Sequence, residues 1–236
     1  LMMAVSVVVP TKDRPDDIGR LLDALARQCR PPDQIVVVDQ SEGAESHGLR
    51  LRAGHLQDRV TYIHSSQISG AAAARNVGAN VATGDLVVFM DDDVVPEPDC
   101  LLELERAFVE NPDYVGIGGV ELQMGEMPTL QLLYYEVFFR GPFRDRKYRI
   151  SRRPTEVNGL QPVFGLKTCL AGFRRRFFET YAFDERIRAA LLEDLDICWQ
   201  ARGREKFGVW PHAAVWHNLS KASRLSVRRS YEAGAA

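Results

Sequence analysis

Ala4-Val-Ser-Val-Val-Val9 and Ile35-Val-Val-Val-Asp39 decide how this chain folds. Each is nearly continuous in β-branched residues, the pattern of a strand covered on both faces rather than one that alternates toward solvent. Between them, Ile18, Leu21, Leu22, Leu25 and Ala26 recur at helical spacing within 16–28. Pro15 stands where a first helical turn favours proline. Strand, helix, strand is a βαβ unit, whose right-handed crossover builds a parallel sheet with ligands at the carboxyl ends of its strands.

The alternation continues outward through a strand at 60–63, an alanine-rich helix near 71–82, a strand at 86–90 and a helix near 100–110. It fades after 114–122. The stretch 128–139 is an aromatic, apolar helix candidate, and 140–162 reads as a polar loop. A helix around 191–202, a strand around 213–216 and a basic helical tail close the chain.

Three of these strands end in polar groups: Thr11 to Arg14, Asp39 to Ser41, and Asp91-Asp92-Asp93. In one sheet, all three clusters converge on one edge. Three adjacent carboxylates repel one another unless positive charge sits among them. A divalent Mg²⁺ or Mn²⁺, held by one or two carboxylates and completed by phosphate oxygens, is the usual resolution. The alternative is a cap for the helix that would begin near Pro96.

A chain of 236 residues, 45% hydrophobic and 26% charged, suits one large α/β domain or a domain with a small appendage. Its formal net charge of −2 gives no global basic excess of the kind that nucleic acid attracts. Between Arg140 and Arg188, however, 13 Lys or Arg face 5 Asp or Glu, a local excess of 13 − 5 = +8. Such a run is either a solvated face or a surface for anionic lipid or a phosphorylated acceptor, which would bring peripheral contact with the inner face of a membrane. Cys29, Cys100, Cys169 and Cys198 show no CxxC spacing, which argues against a zinc module or a dense disulfide scaffold and fits a reducing, cytoplasmic setting. No apolar stretch reaches the roughly 18–20 residues that span a bilayer, and the start lacks signal-peptide features. Whether an anchor or further part follows Ala236 stays open.

Taken in order, these positions resemble family 2 glycosyltransferases with the GT-A fold, from about Val5 to His217. Val5-Ser-Val-Val-Val-Pro-Thr11 looks like the opening strand and nucleotide loop, and Asp39 like the acidic residue at the end of the second strand. Ser69-Gly70 and Ala74-Arg75-Asn76-Val-Gly78 resemble a helix start and the A-R-N-x-G signature; Asp91-Asp92-Asp93 occupies the DxD position. Cys169-Leu-Ala-Gly172, Phe183-Asp184-Glu185 and Glu193-Asp194 resemble acceptor-side motifs. The resemblance implies an α/β fold of Rossmann-like type, a mostly parallel sheet flanked by helices. It implies one domain over 1–236, with 4–122 holding the donor and 123–236 forming the acceptor side.

It also implies an inverting, metal-dependent transfer from a nucleoside diphosphate sugar to an acceptor hydroxyl. A diphosphate leaves poorly until its charge is neutralised, which a metal does directly. Asp93 is the expected metal ligand, joined by His217 through a Trp-His element found in some metal-dependent relatives; a structural histidine is the alternative. Pro10, Thr11, Asp13, Arg14, Asp39, Ser41, Asp91 and Asp92 are expected on the donor. Arg75 either counters the diphosphate or is paired structurally. The resemblance puts the general base at Asp194, with Glu193 beside it in the catalytic pair; an acidic first turn favourable to the helix dipole is the bland reading. Lys12 stands where the family often has an aromatic and Asp13 where Asn is usual, so the nucleotide base is open. Tyr181-Ala182 replaces the usual glycines and Leu192 precedes Glu193-Asp194, both near the acceptor side.

Two rivals remain at this level. A sugar-nucleotidyltransferase also sets acidic metal ligands on such a sheet, but Pro10-Thr-Lys-Asp-Arg14 lacks the glycines of its phosphate loop. A non-catalytic domain that binds a sugar nucleotide or a lipid surface is the other.

Overall fold

The computed structural model describes residues 2–42, 53–123, 158–187 and 192–217. The opening βαβ unit forms as the sequence predicts, with β1 (Val5–Thr11), α1 (Pro15–Ala26) and β2 (Gln34–Asp39). A 3₁₀ turn (Gly54–Arg59) leads into β3 (Val60–His64), followed by α2 (Ala71–Val81) and β4 (Leu86–Met90). These four strands run parallel in the order β3-β2-β1-β4.

Beyond β4 the sheet becomes mixed. β5 (Val94–Pro96), α3 (Cys100–Glu110), β6 (Gly116–Gln123), β7 (Gln161–Val163), β8 (Leu170–Arg174), α4 (Glu193–Gln200) and β9 (Phe207–His217) complete the order β3-β2-β1-β4-β8-β6-β9-β5, with β7 beside β9. β6 and β9 run in the direction of the first four strands, while β5, β7 and β8 run against their neighbours. The sheet is therefore mostly parallel by direction.

The two-sided strand pattern has its expected result in two cores. Val7, Val9, Ile35 and Val37 pack with Leu21, Leu22 and Leu25 of α1 and Leu104 and Phe108 of α3 on one face. Val8, Val36 and Val38 pack with Ala72, Ala74 and Ala79 of α2 and Ile197 of α4 on the other. Helix α2 lies so close to β1 that a Cβ on Gly78 would sit 2.2 Å from Val8 Cγ1. Gly78→Ala is therefore expected to cost about 1–3 kcal/mol by overpacking, against about 1 kcal/mol returned by alanine's helix propensity. Chemical denaturation should show a net loss, and unchanged or increased stability would mean that α2 can lift off β1 freely.

Several elements differ from the sequence expectation. Pro96 ends the short strand β5 instead of opening a helix, and α3 starts at Cys100 after Asp99. β8 is a strand where the sequence offered only a motif, and the end of the polar stretch 140–162 enters β7. β9 runs over eleven residues instead of four, and Pro211 lies within it. The helix candidate at 128–139, most of the loop at 140–162 and the tail after 217 lie outside the described residues. Among the described residues no helix is long and apolar enough to cross a membrane.

Candidate active site

Strand register creates the site. Thr11 pairs with Asp39 across β1 and β2, and Val8 pairs with Phe89 across β1 and β4, so the residues after Met90 come level with the end of β1. At the far side, the antiparallel pairing of β5 with β9 sets Val94 opposite His217, which draws Asp93 toward the end of β9. The three polar strand ends thus share one edge with a fourth from the chain's last described strand.

The triplet divides by direction. Asp92 is buried and accepts the Thr11 hydroxyl at 2.7 Å and Arg14 Nη1 at 2.9 Å. Burial pushes its carboxyl up to about 7, with Arg14 and the Thr11 hydrogen bond pulling the other way. Both oxygens hold the loop after β1. Thr11 and Arg14 are likewise engaged with the triplet, and Arg14 Nη1 also reaches Asp93 Oδ2 at 3.1 Å. Asp93 Oδ1 pairs with His217 Nε2 at 3.1 Å. The other His217 nitrogen lies 2.7 Å from Glu121 Oε1, and Lys167 Nζ donates to Glu121 Oε2 at 2.9 Å. Burial pulls the His217 imidazole down, but its bonds to Asp93 and Glu121 outweigh this and push it up to about 10.

Asp39 heads a second group. Its Oδ1 accepts the Ser41 amide at 2.9 Å and hydroxyl at 2.5 Å, and its Oδ2 accepts the Tyr62 phenol at 2.5 Å. A carboxylate offers about four lone-pair sites, so capacity remains for a nucleoside N–H or hydroxyl. Asp13 is exposed, adopts a φ of 54° and donates its amide to Ser41 Oγ at 2.8 Å, tying the β1 loop to the β2 loop. Pro10 pairs with Val38 within the sheet.

Arg75 joins the start of the acidic triplet to the start of α4. It is only 4% exposed, and it donates Nη1 to Glu193 Oε1 at 2.6 Å and Nη2 to Asp91 Oδ1 at 3.0 Å. Its Nε is buried with no hydrogen-bond partner among the described residues, a group whose desolvation costs about 1–3 kcal/mol. Arg75 is thus paired with carboxylates on two sides. Glu193 is buried and bonded to Arg75. Asp194 is partly exposed, and its charge acts on the Arg75 guanidinium.

The donor set suits a hard divalent ion, with carboxylate oxygens from Asp91 and Asp93 and an imidazole from His217. Among the described residues no three His, Cys, Asp or Glu side chains form a metal cage. An Mg²⁺-type ion does not require one, since phosphate oxygens and water complete its shell. His217 would give up its proton on binding the ion.

Sequence reasoning missed Glu121, Lys167 and Tyr62. Glu121 follows the buried Val120 late in β6, the same signal of a polar group at a strand's carboxyl end that singled out Asp39 and Asp91. Tyr62 looked like one more apolar strand residue, and nothing local marks Lys167.

Comparison with known proteins supplies independent findings. The family model described as glycosyl transferase family 2 matches residues 6–182. A glucosyl-dolichyl phosphate glucuronosyltransferase of Haloferax volcanii is 31% identical over 119 residues, covering 50% of this chain and 38% of that protein. The mannosyltransferase PcManGT from Pyrobaculum calidifontis, solved with GDP-Man and Mn²⁺, superposes with a TM-score of 0.68 at 21% identity over 98% of this chain and 61% of that one. GalNAc-T7, solved with UDP, GalNAc and Mn²⁺, gives 0.69 at 13% identity over 92% of this chain and 43% of that one. The matches to the first three curated relatives span 38%, 36% and 41% of their lengths.

Proposed function

The chain belongs to glycosyl transferase family 2, and on that premise we propose that it moves a glycosyl unit, with inversion, from a nucleoside diphosphate sugar to an acceptor hydroxyl. One observation carries this reading: Arg75 bonds both Asp91 and Glu193, residues 102 positions apart, the first two positions before the expected metal ligand and the second next to the expected base. Direct displacement requires that meeting, because leaving group and attacking hydroxyl sit on opposite sides of one anomeric carbon.

Each group has a task in that geometry. Asp39, braced by Ser41 and Tyr62, accepts from the nucleoside. Asp93, with Asp91 and His217, would hold Mg²⁺ or Mn²⁺, which supplies positive charge to the leaving diphosphate. Asp92 keeps Thr11 and Arg14 at the donor edge. Asp194 takes the proton from the acceptor hydroxyl as the new bond forms. Mn²⁺ in the two superposed structures supports the metal assignment, and their GDP-Man and UDP support the donor class.

The test is a panel of UDP- and GDP-sugars with and without Mn²⁺, following nucleoside diphosphate release in the presence of a lipid extract. A glycosylated lipid phosphate is the first acceptor to try, after the name of the H. volcanii relative. Mn²⁺-dependent release, raised by acceptor, is the expected result. Metal-dependent binding with no release on any donor would favour a binding domain, and pyrophosphate production a nucleotidyltransferase.

A further inference from the structure

The basic run that stands out in the sequence has no task in the chemistry above, and it leads to an apolar surface. Between Arg140 and Arg153 seven Lys or Arg stand against the single Asp145, and the chain reaches Phe164 eleven residues later. Phe164 follows β7 and is 86% exposed. Leu192, Leu195 and Trp199, at the start of α4 and along it, are 58%, 48% and 64% exposed.

These side chains share one surface. Spacings of three and four put Leu192, Leu195 and Trp199 on one face of the helix, away from the buried Ile197. Leu195 Cδ2 comes 2.7 Å from the place a Cβ on Gly165 would take, so it lies against the backbone next to Phe164. The Arg202 guanidinium lies over the Trp199 ring, 4.4 Å from its centroid, and Arg204 is exposed beyond it. Asp196, at the edge of the stripe, accepts Gln200 Nε2 at 2.7 Å. Apolar residues scattered singly over a surface are ordinary, whereas a contiguous patch rimmed by polar groups marks a contact.

We infer that this patch docks on an anionic lipid bilayer, with Phe164, Leu192, Leu195 and Trp199 entering the boundary between head groups and chains and Arg202 and Arg204 meeting the lipid charge. Tryptophan, phenylalanine and leucine on one face with cations beside them form the composition that lies in such an interface. The run at 140–153 enters by its charge alone: seven cations tethered next to Phe164 fix the sign of the partner's charge and supply the second signal that stable peripheral binding needs. A second copy of this chain is the poorer occupant, because it would bring the same cations against these. The inference goes beyond glycosyl transfer; only its placing of the bilayer beside the acceptor rests on the reading of Asp194, on the same helix, as base.

Sedimentation of the 236-residue chain with vesicles tests this, using pure phosphatidylcholine and a mixture with phosphatidylglycerol at about 3:1. Wild type should partition at least about tenfold more strongly onto the mixture, and should lose that preference as salt rises from about 0.1 to 1 M. Phe164→Ser and Trp199→Ser should each weaken partition about tenfold, and Arg202→Gln about fivefold on the mixture only. All three side chains are exposed, so the unfolding temperature should hold. Should a serine variant fail to fold, fluorescence decides: lipids brominated near the head group should quench wild-type tryptophan emission and quench Trp199→Phe much less, Trp210 being buried. Partition that is absent, equal on both lipids, or equal in wild type and both serine variants would overturn the inference. So would a concentration-dependent dimer that the same variants abolish without any vesicle binding, which would give the patch to a second copy. Partition is read without donor or acceptor, so its failure leaves glycosyl transfer standing, and a chain that partitions but releases no nucleoside diphosphate counts against transfer alone.

Discussion

Asp194→Asn is expected to lower glycosyl transfer by roughly 10²-fold or more while leaving donor affinity within about twofold, the signature of a lost general base. The substitution keeps size and shape, so the neighbouring Glu193 retains its bond to Arg75 and α4 keeps its start. What disappears is the capacity to accept a proton as the acceptor hydroxyl attacks, together with the charge that acts on Arg75. A loss made only in the transition state appears in kcat and kcat/KM together. The comparison with Glu193 is informative because the two carboxylates are adjacent but face different surroundings: Glu193 is buried against a guanidinium and Asp194 is partly exposed. Near-normal transfer by Asp194→Asn, with Glu193 intact, would remove Asp194 from the base role.

The sequence made the donor half of this arrangement legible and left the joinery hidden, for physical reasons. Strands β1, β2 and β4 are covered on both faces, so their run of valines and isoleucines is unmistakable. Their polar ends then mark a single edge without any long-range information. The strands β5, β7 and β8 are three to five residues long and carry proline or glycine, which reads locally as turn. β9 hides half its length in the same way behind Gly208 and Pro211.

Ion pairs are harder still, because a buried arginine on a helix looks like an exposed one until its partner is known. Arg75 meets Glu193 across 118 residues and His217 meets Glu121 across 96, contacts set by strand order rather than by any local period. That is why the sequence shows neither the Arg75 bond of Glu193 nor the Thr11 and Arg14 bonds of Asp92. Through these bonds both carboxylates hold parts of the site together. Motif positions locate a site; partners assign the work within it.

Asp93→Ala should abolish metal-dependent nucleotide binding, with affinity in Mn²⁺ falling by more than about 10²-fold, since even outer partners of a metal ligand are worth 10–100-fold. The fold should tolerate the change. Arg14 keeps Asp92 at 2.9 Å and His217 keeps Glu121 at 2.7 Å, so neither cation is left buried and alone. The cost to stability is then that of charge-assisted hydrogen bonds, about 1.5–3 kcal/mol, visible in thermal unfolding without loss of the native state. Calorimetry with UDP and GDP, each with and without Mn²⁺, separates a ligand from a structural role. A structural defect would weaken both arms alike, because the nucleoside contact proposed for Asp39 operates in either. Loss of the metal ligand collapses only the difference between them, and an unchanged difference would take Asp93 out of the ligand set.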